Sequence, residues 1–195
     1  ARRYVTLLLE HSERQALVFW QAYGRCFQGL LSIKSDDLIG GLAVLGAALE
    51  RLRDIQFGVY YGVFLGEFAD ALGRVGRAKE GLAAIDEALA RAERNDELWY
   101  LAELLRIKGE LLLRQGGPDG PRDAEAFFLK SLDWARRQQT PAWELRTSLS
   151  LGNLRQIQNR PDDARNLVRS SYARFKEGFE TADLQVARQL LEKLD

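Results

Sequence analysis

Nucleophilic catalysis needs a nucleophile, a base beside it and a group that orients the base, and this chain offers few residues of those types. His11 is the only histidine and Cys26 the only cysteine among 195 residues. Nothing in their spacing brings them together. Cys26 falls on a presumed helix and reads as a small core residue, and His11 reads as a solvated residue near a helix end. A single cysteine excludes a disulfide scaffold. One histidine and one cysteine cannot supply the four nitrogen or sulfur ligands of structural zinc. Glu103 and Glu110 could form a carboxylate pair, but Arg106 lies between them at helical spacing, and an ion-paired face accounts for all three. Gly73 and Gly76 lack the preceding strand and the lysine of a phosphate-binding loop and read as a turn between helices. No catalytic residue, cofactor or metal ligand is therefore expected, and an enzyme is not the expected function.

The composition is that of an ordinary folded domain. Hydrophobic residues make up 46% and charged residues 29%, and 28 Lys and Arg balance 28 Asp and Glu for a formal net charge of zero. That excludes a disordered chain and argues against nucleic-acid binding as the main task. No apolar run reaches the roughly 18 residues of a membrane span, and Glu10, His11, Glu13 and Arg14 interrupt any signal-peptide core. A cytoplasmic, membrane-free protein is expected. The 22 Arg against 6 Lys, with abundant Ala and Gly, point to a GC-rich bacterial genome. Because the chain opens on Ala1, it reads as processed or as an excerpt of something longer.

The elements that would position any site come from an internal repeat. GLAVLGAAL (41–49) and GLAAIDEAL (81–89) align in register, and AEAFFLKSL (124–132) and ARNLVRSSY (164–172) continue the pattern. The small residue opening each block is Gly41, Gly81, Ala124 and Ala164, at spacings of 40, 43 and 40. An upstream column, Gly29, Ala69, Gly109 and Gly152, is spaced 40, 40 and 43. Both columns place one three-residue insertion between Gly109 and Ala124, where Gly116, Gly117, Pro118, Gly120 and Pro121 provide a turn. Leu45, Ile85, Phe128 and Val168 follow four residues after each opening residue, and Ala48, Ala88, Ser131 and Ser171 follow three later. That small–large–small face at i, i+4 and i+7 is a helix-pair contact surface. Period-2 alternation is missing, so about ten helices and no sheet are expected. Ser12 with Gln15 reads as a capping box, Ser35, Asp36 and Asp37 as caps, Pro141 and Pro161 as first helical residues, Gly178 as the stop of the helix from Pro161, and Thr181 as the cap of a last helix.

These columns resemble the tetratricopeptide repeat, which carries small residues at its eighth, twentieth and twenty-seventh positions and a large one at its twenty-fourth. Gly29, Gly41, Leu45 and Ala48 match, as do Ala69, Gly81, Ile85 and Ala88, with Gly76 at the family's turn glycine. Gly109, Ala124, Phe128 and Ser131 match across the insertion, as do Gly152, Ala164, Val168 and Ser171. The chain departs in a period of 40 or more residues against about 34, in the residues replacing the fourth-position Trp (Arg25, Leu65, Leu105, Ser148) and in the missing closing Pro. The text EGLAAIDEALARAER (80–94), AELLRIKGELLL (102–113), WELR (143–146) and EGFETADLQ (177–185) is similar to the C-terminal repeat region of bacterial ATPase-linked signalling proteins, which carry an adenylate cyclase or winged-helix DNA-binding domain. The resemblance implies an all-α fold: one α-α superhelix, or solenoid, over 1–195. It would contain a remnant helix at 1–11, repeats at 12–54, 55–95, 96–139 and 140–179, and a capping helix at 180–195.

The resemblance also implies where a partner would lie, because first helices of such repeats line a concave groove. It carries over four columns: Lys34, Arg74, Arg114 and Ile157; Leu30, Asp70, Glu110 and Asn153; Tyr23, Val63, Glu103 and Arg146; and Cys26, Gly66, Arg106 and Leu149. The expected groove is Tyr23, Lys34, Asp70, Arg74, Glu103, Arg106, Glu110, Arg114, Arg146 and Asn153. Repeated cations suit a carboxylate, a phosphate or an acidic peptide, and a solvated face of ion pairs is the alternative. Trp20, Tyr60, Tyr100 and Trp143 form an aromatic column, read as packing or as a rim of anchors. Phe57, Tyr60, Tyr61, Phe64 and Phe68 crowd one helix and read mostly as core. The expected function is a non-enzymatic interaction module of a bacterial regulator that binds a peptide or another domain of its own protein. The alternative is small-effector sensing relayed to an attached domain, and an exposed end of the stack leaves homodimerisation open.

Overall fold

The computed structural model describes residues 1–55 and 60–194, and among them the fold is all-α with no strand. Two compact units divide the chain, Ala1–Asp96 and Glu97–Asp195. The first holds α1 (Arg2–Arg14), α2 (Val18–Ile33), α3 (Leu38–Ile55), α4 (Tyr61–Arg74) and α5 (Ala78–Arg94). The second opens on a 3-10 turn at Leu98–Tyr100 and continues with α6 (Leu101–Gln115), α7 (Gly120–Arg137), α8 (Pro141–Ile157), α9 (Pro161–Tyr172) and α10 (Ala182–Leu194). In the described residues no helix is long and apolar enough to cross a membrane.

The turns are built on one recurring device. Ala16, Asp36, Gly76, Gln139 and Asn159 take positive φ of 53°, 64°, 82°, 54° and 57°. The amide after each donates to the carbonyl five residues back: Leu17 to Ser12 (2.8 Å), Asp37 to Ser32 (3.1 Å), Arg77 to Leu72 (2.9 Å), Thr140 to Ala135 (2.9 Å) and Arg160 to Arg155 (2.8 Å). This left-handed closure satisfies the last carbonyls of a helix and reverses the chain within three or four residues. Gly76 adopts it without a Cβ penalty, and Asp36 and Asn159 are the residue types that tolerate it best after glycine. Asp37 then caps α3, its carboxylate accepting the Gly40 amide at 3.0 Å. Pro141 and Pro161 open α8 and α9, where a missing N–H leaves no hydrogen bond unmade. The α6–α7 connection is built differently, with Gly116 and Gly117 both at positive φ, and it lies in the interval where the repeat columns place their insertion.

Two helix boundaries differ from the sequence expectation. Ser12 does not form a capping box with Gln15. It lies buried inside α1, its hydroxyl donating to the Leu9 carbonyl at 3.0 Å, because α1 continues to Arg14 and α2 starts only at Val18. Gly178 does not end the helix from Pro161, since α9 stops at Tyr172. Gly178 instead turns the loop into α10, its carbonyl accepting the Thr181 amide at 2.9 Å.

All sixteen residues of the four repeat columns are buried. Leu45, Ile85, Phe128 and Val168 have no exposed surface, and burying a side chain of this size stabilises by about 1.5–3 kcal/mol. They press against the small residues of the preceding helix. A Cβ built on Gly29 would lie 2.7 Å from the Leu45 backbone nitrogen, and one on Gly109 would lie 2.5 Å from the Phe128 ring. In the second unit the later small column is serine, and its buried hydroxyls are satisfied. Ser131 donates to the Ala102 carbonyl at 2.6 Å and lies 2.7 Å from the Thr147 hydroxyl, and Ser148 and Ser171 pair at 2.6 Å. Within each unit every helix packs on the next, and alternate helices also meet: α2 on α4 in the first unit, α6 on α8 and α8 on α10 in the second. First helices of successive hairpins therefore lie side by side within each unit.

Candidate functional site

In the second unit the first-helix face carries a charge network built around one buried carboxylate. Glu103 stands in the first turn of α6 with only 1% of its side chain exposed. Arg106, one turn on, grips it with both forks, Nε to Oε2 at 2.9 Å and Nη2 to Oε1 at 2.8 Å. Arg146 from α8 reaches the same Oε1 with Nη1 at 2.8 Å, and its Nε lies 3.4 Å from Asp183 of α10. Glu110 stands 3.8 Å from Arg106 on one side and 3.8 Å from Arg114 on the other. A buried carboxylate persists only when paired and hydrogen-bonded, and here three carboxylates meet three guanidiniums across three helices. The structure thus gathers five of the expected groove residues, Glu103, Arg106, Glu110, Arg114 and Arg146. Asn153 is on α8 at the exposed end, where its carbonyl accepts the Gln156 amide at 3.3 Å.

The first unit places its four expected residues separately. Lys34 pairs with Glu67 at 2.7 Å, and Arg74 lies 3.6 Å from Asp36. Asp70 is half-buried on α4. Tyr23 is buried, its hydroxyl accepting the Tyr60 amide at 3.0 Å and its ring meeting Phe64 edge-on at 5.6 Å. Cys26, Gly66 and Leu149, the rest of the Arg106 column, are also buried. The aromatic column divides. Trp20 and Tyr60 are nearly half exposed, whereas Tyr100 is buried edge-on against Trp143 at 5.7 Å. Of the crowded aromatics, Tyr61 and Phe64 are core and Phe68 is half-buried, while Phe57 falls outside the described residues.

A second buried carboxylate escaped the sequence reading. Glu144, in the first turn of α8, takes Arg136 Nε from α7 at 2.8 Å and Arg174 Nη1 from beyond α9. The signal lay in a column beside the aromatic one, Gln21, Tyr61, Leu101 and Glu144, whose mixed chemistry hides its common place in the repeat.

The titratable groups match their surroundings. Burial first, then the Glu87 charge, raises the Tyr61 hydroxyl above its usual range. Hydrogen bonds from Arg77 hold the exposed Glu80 carboxyl low. Cys26 has no exposed surface, and burial pushes its thiol up to about 12, so little of it is the nucleophilic thiolate at neutral pH. Because the folded state favours the protonated thiol, this stabilisation is complete below the ordinary thiol pKa of 9.0 and is lost as the pH climbs toward 12. Between pH 9 and pH 10 the wild type is expected to lose about 1 kcal/mol more than Cys26→Ala in urea unfolding. Parallel losses in the two proteins would contradict a buried thiol. Within the described residues no group of three His, Cys, Asp or Glu is gathered as a metal ion would require.

The chain matches no protein-family model, and no curated protein matches it at a significant level.

Proposed function

We propose that this chain is a non-enzymatic, cytoplasmic interaction module of a bacterial regulator, a tetratricopeptide-like stack of hairpins that binds a peptide or partner domain on the face of its first helices. The carrying observation is the face formed by α6 and α8, where side-by-side first helices present a fixed lattice of both charges. Guanidiniums already locked by carboxylates keep their orientation, which reduces the ordering cost of capturing a partner. The recurring small–large–small columns and the left-handed turns support the stacked-hairpin reading. The similarity of segments 80–94, 102–113, 143–146 and 177–185 to the repeat tails of ATPase-linked regulators supports the parent architecture.

Peptides selected from a random display library against the whole chain provide the test. Arg114 pairs with Glu110 at 3.8 Å and Arg74 with Asp36 at 3.6 Å, and about a third of each arginine side chain is exposed (33% and 35%), so both present positive charge to an acidic partner. Arg114→Glu or Arg74→Glu should weaken the selected peptides at least about tenfold, the loss of one charge-assisted contact. Arg122→Glu, on the exposed side of α7, should leave binding unchanged. Equal effects at all three positions, or no selectable peptide, would defeat the assignment.

A further inference from the structure

The first unit contains a cleft of about 510 Å³ between α2 and α3, closed at one end by the last turn of α1. Its floor is Val18, Ala22, Val44 and Ala47, and its rim holds Arg25 and Arg51. The volume and the apolar floor with a few polar groups are those of a small-molecule site.

The other repeats show what normally fills this place. Arg51 corresponds to Arg91, Trp134 and Arg174, and the first-helix residue facing it, Gln21, corresponds to Tyr61, Leu101 and Glu144. In the second repeat the Arg91 guanidinium lies over the Tyr61 ring at 4.7 Å, and the Tyr61 hydroxyl donates to Glu87 at 3.1 Å. In the fourth, Arg174 is paired with Glu144. In the third both residues are apolar, Leu101 and Trp134. Only the first repeat leaves the arrangement open. Gln21 lines the cleft but brings no ring or anion, its amide donating to the Ser12 carbonyl at 3.0 Å, and Ala47 stands where Glu87 would be. Among the described residues no hydrogen bond or ion pair holds Arg51. The repeat supplies an arginine with neither the ring nor the carboxylate that its counterparts use.

We propose that this cleft binds a small organic monocarboxylate with an aromatic body, the ring on the alanine and valine floor and the carboxylate on Arg51. Such a ligand provides together what Tyr61 and Glu144 provide separately. Arg25 adds positive charge at the rim, where it is paired with Glu13 at 3.1 Å and donates to Gln28 at 2.9 Å. The Glu13 carboxylate faces the same cleft and disfavours a polyanion. The cleft belongs to the first unit and the charged first-helix face to the second, so the proposal does not depend on that face's role.

Amide chemical-shift titration of the whole chain with phenylacetate tests the proposal, with phenylacetamide and inorganic phosphate as comparators and thermal unfolding to verify each variant. Phenylacetate should perturb amides of α2 and α3, and the neutral amide should bind at least about tenfold more weakly, as should phosphate. Arg51→Gln should cost a similar factor. Ala47→Glu, which gives the first repeat the carboxylate of the second, should abolish binding by filling the floor and pairing with Arg51 one turn away. Both changes are on an exposed face and should leave the melting temperature near that of the wild type. Shifts absent at millimolar phenylacetate, equal affinity for the amide or for phosphate, or full binding by folded Ala47→Glu would overturn it.

Discussion

Glu103→Ala is expected to destabilise the protein by about 3–5 kcal/mol, measured as a fall in the urea midpoint at unchanged slope. The carboxylate is 1% exposed and takes three close guanidinium contacts. Removing it leaves Arg106, 14% exposed, facing Arg146 with no anion between them. The cost is mainly that of two like charges left facing each other, Arg106 with only Glu110 at 3.8 Å and Arg146 with only Asp183 at 3.4 Å for compensation, and it exceeds the pairs' own net worth, because an ion pair in a protein interior roughly offsets its own desolvation. A second substitution separates these terms. Adding Arg106→Met and Arg146→Met to Glu103→Ala should recover much of the loss, since apolar groups of similar length need no counter-charge. If Glu103→Ala alone costs less than about 1 kcal/mol, the network is solvated in the manner of a surface pair, and a pre-ordered charge lattice on α6 and α8 could not be sustained.

Gly29→Ala is expected to cost about 2–3 kcal/mol despite the better helix propensity of alanine. That propensity is worth about 1 kcal/mol, so the steric term must exceed it clearly. The added Cβ would meet the Leu45 nitrogen at 2.7 Å, Cβ at 2.8 Å and Cα at 2.9 Å. Two of those three atoms are backbone, so relief requires α2 and α3 to separate, and overpacking of this kind is among the costlier core changes. Gly152→Ala makes the contrast. Its nearest obstacle is the Val168 Cγ2 methyl at 3.0 Å, with the next atom at 3.8 Å, so a small side-chain shift suffices and the change should be near neutral. Thermal or urea unfolding of the two variants reads the difference. Similar losses at both positions would mean that the close approach of α2 and α3 is not what holds the first hairpin together.

These two experiments divide along what each level of description could see. The glycines were legible because a repeat imposes the same packing constraint several times. Gly29 alone is a helix-disfavouring residue, but in column with Ala69, Gly109 and Gly152, and opposite Leu45, Ile85, Phe128 and Val168, it marks a contact between helices. The insertion was legible for the same reason, since two columns change spacing in one interval and that interval is rich in turn formers. The caps were less so. Ser12 has the right composition for a capping box, yet the burial of α1 against α2 extends that helix past it, and tertiary packing outweighs a cap worth about 1 kcal/mol.

The ion network lay at the limit of the sequence. Helical spacing placed Glu103, Arg106, Glu110 and Arg114 on one side of α6, which follows from 3.6 residues per turn. It could not give the reach of Arg146 from a helix 40 residues on, or the joining of Arg136, Glu144 and Arg174, because ionic contacts between helices depend on their separation and rotation and carry no period of their own. The open cleft beside Arg51 is of the same kind. By itself the chain determined an all-helical fold and which residues its helices bury against each other, since both are local periodicities repeated in register. Which charges become partners, and where a repeat leaves an arginine beside an unfilled floor, was decided only when side chains far apart in sequence were brought within a few ångströms.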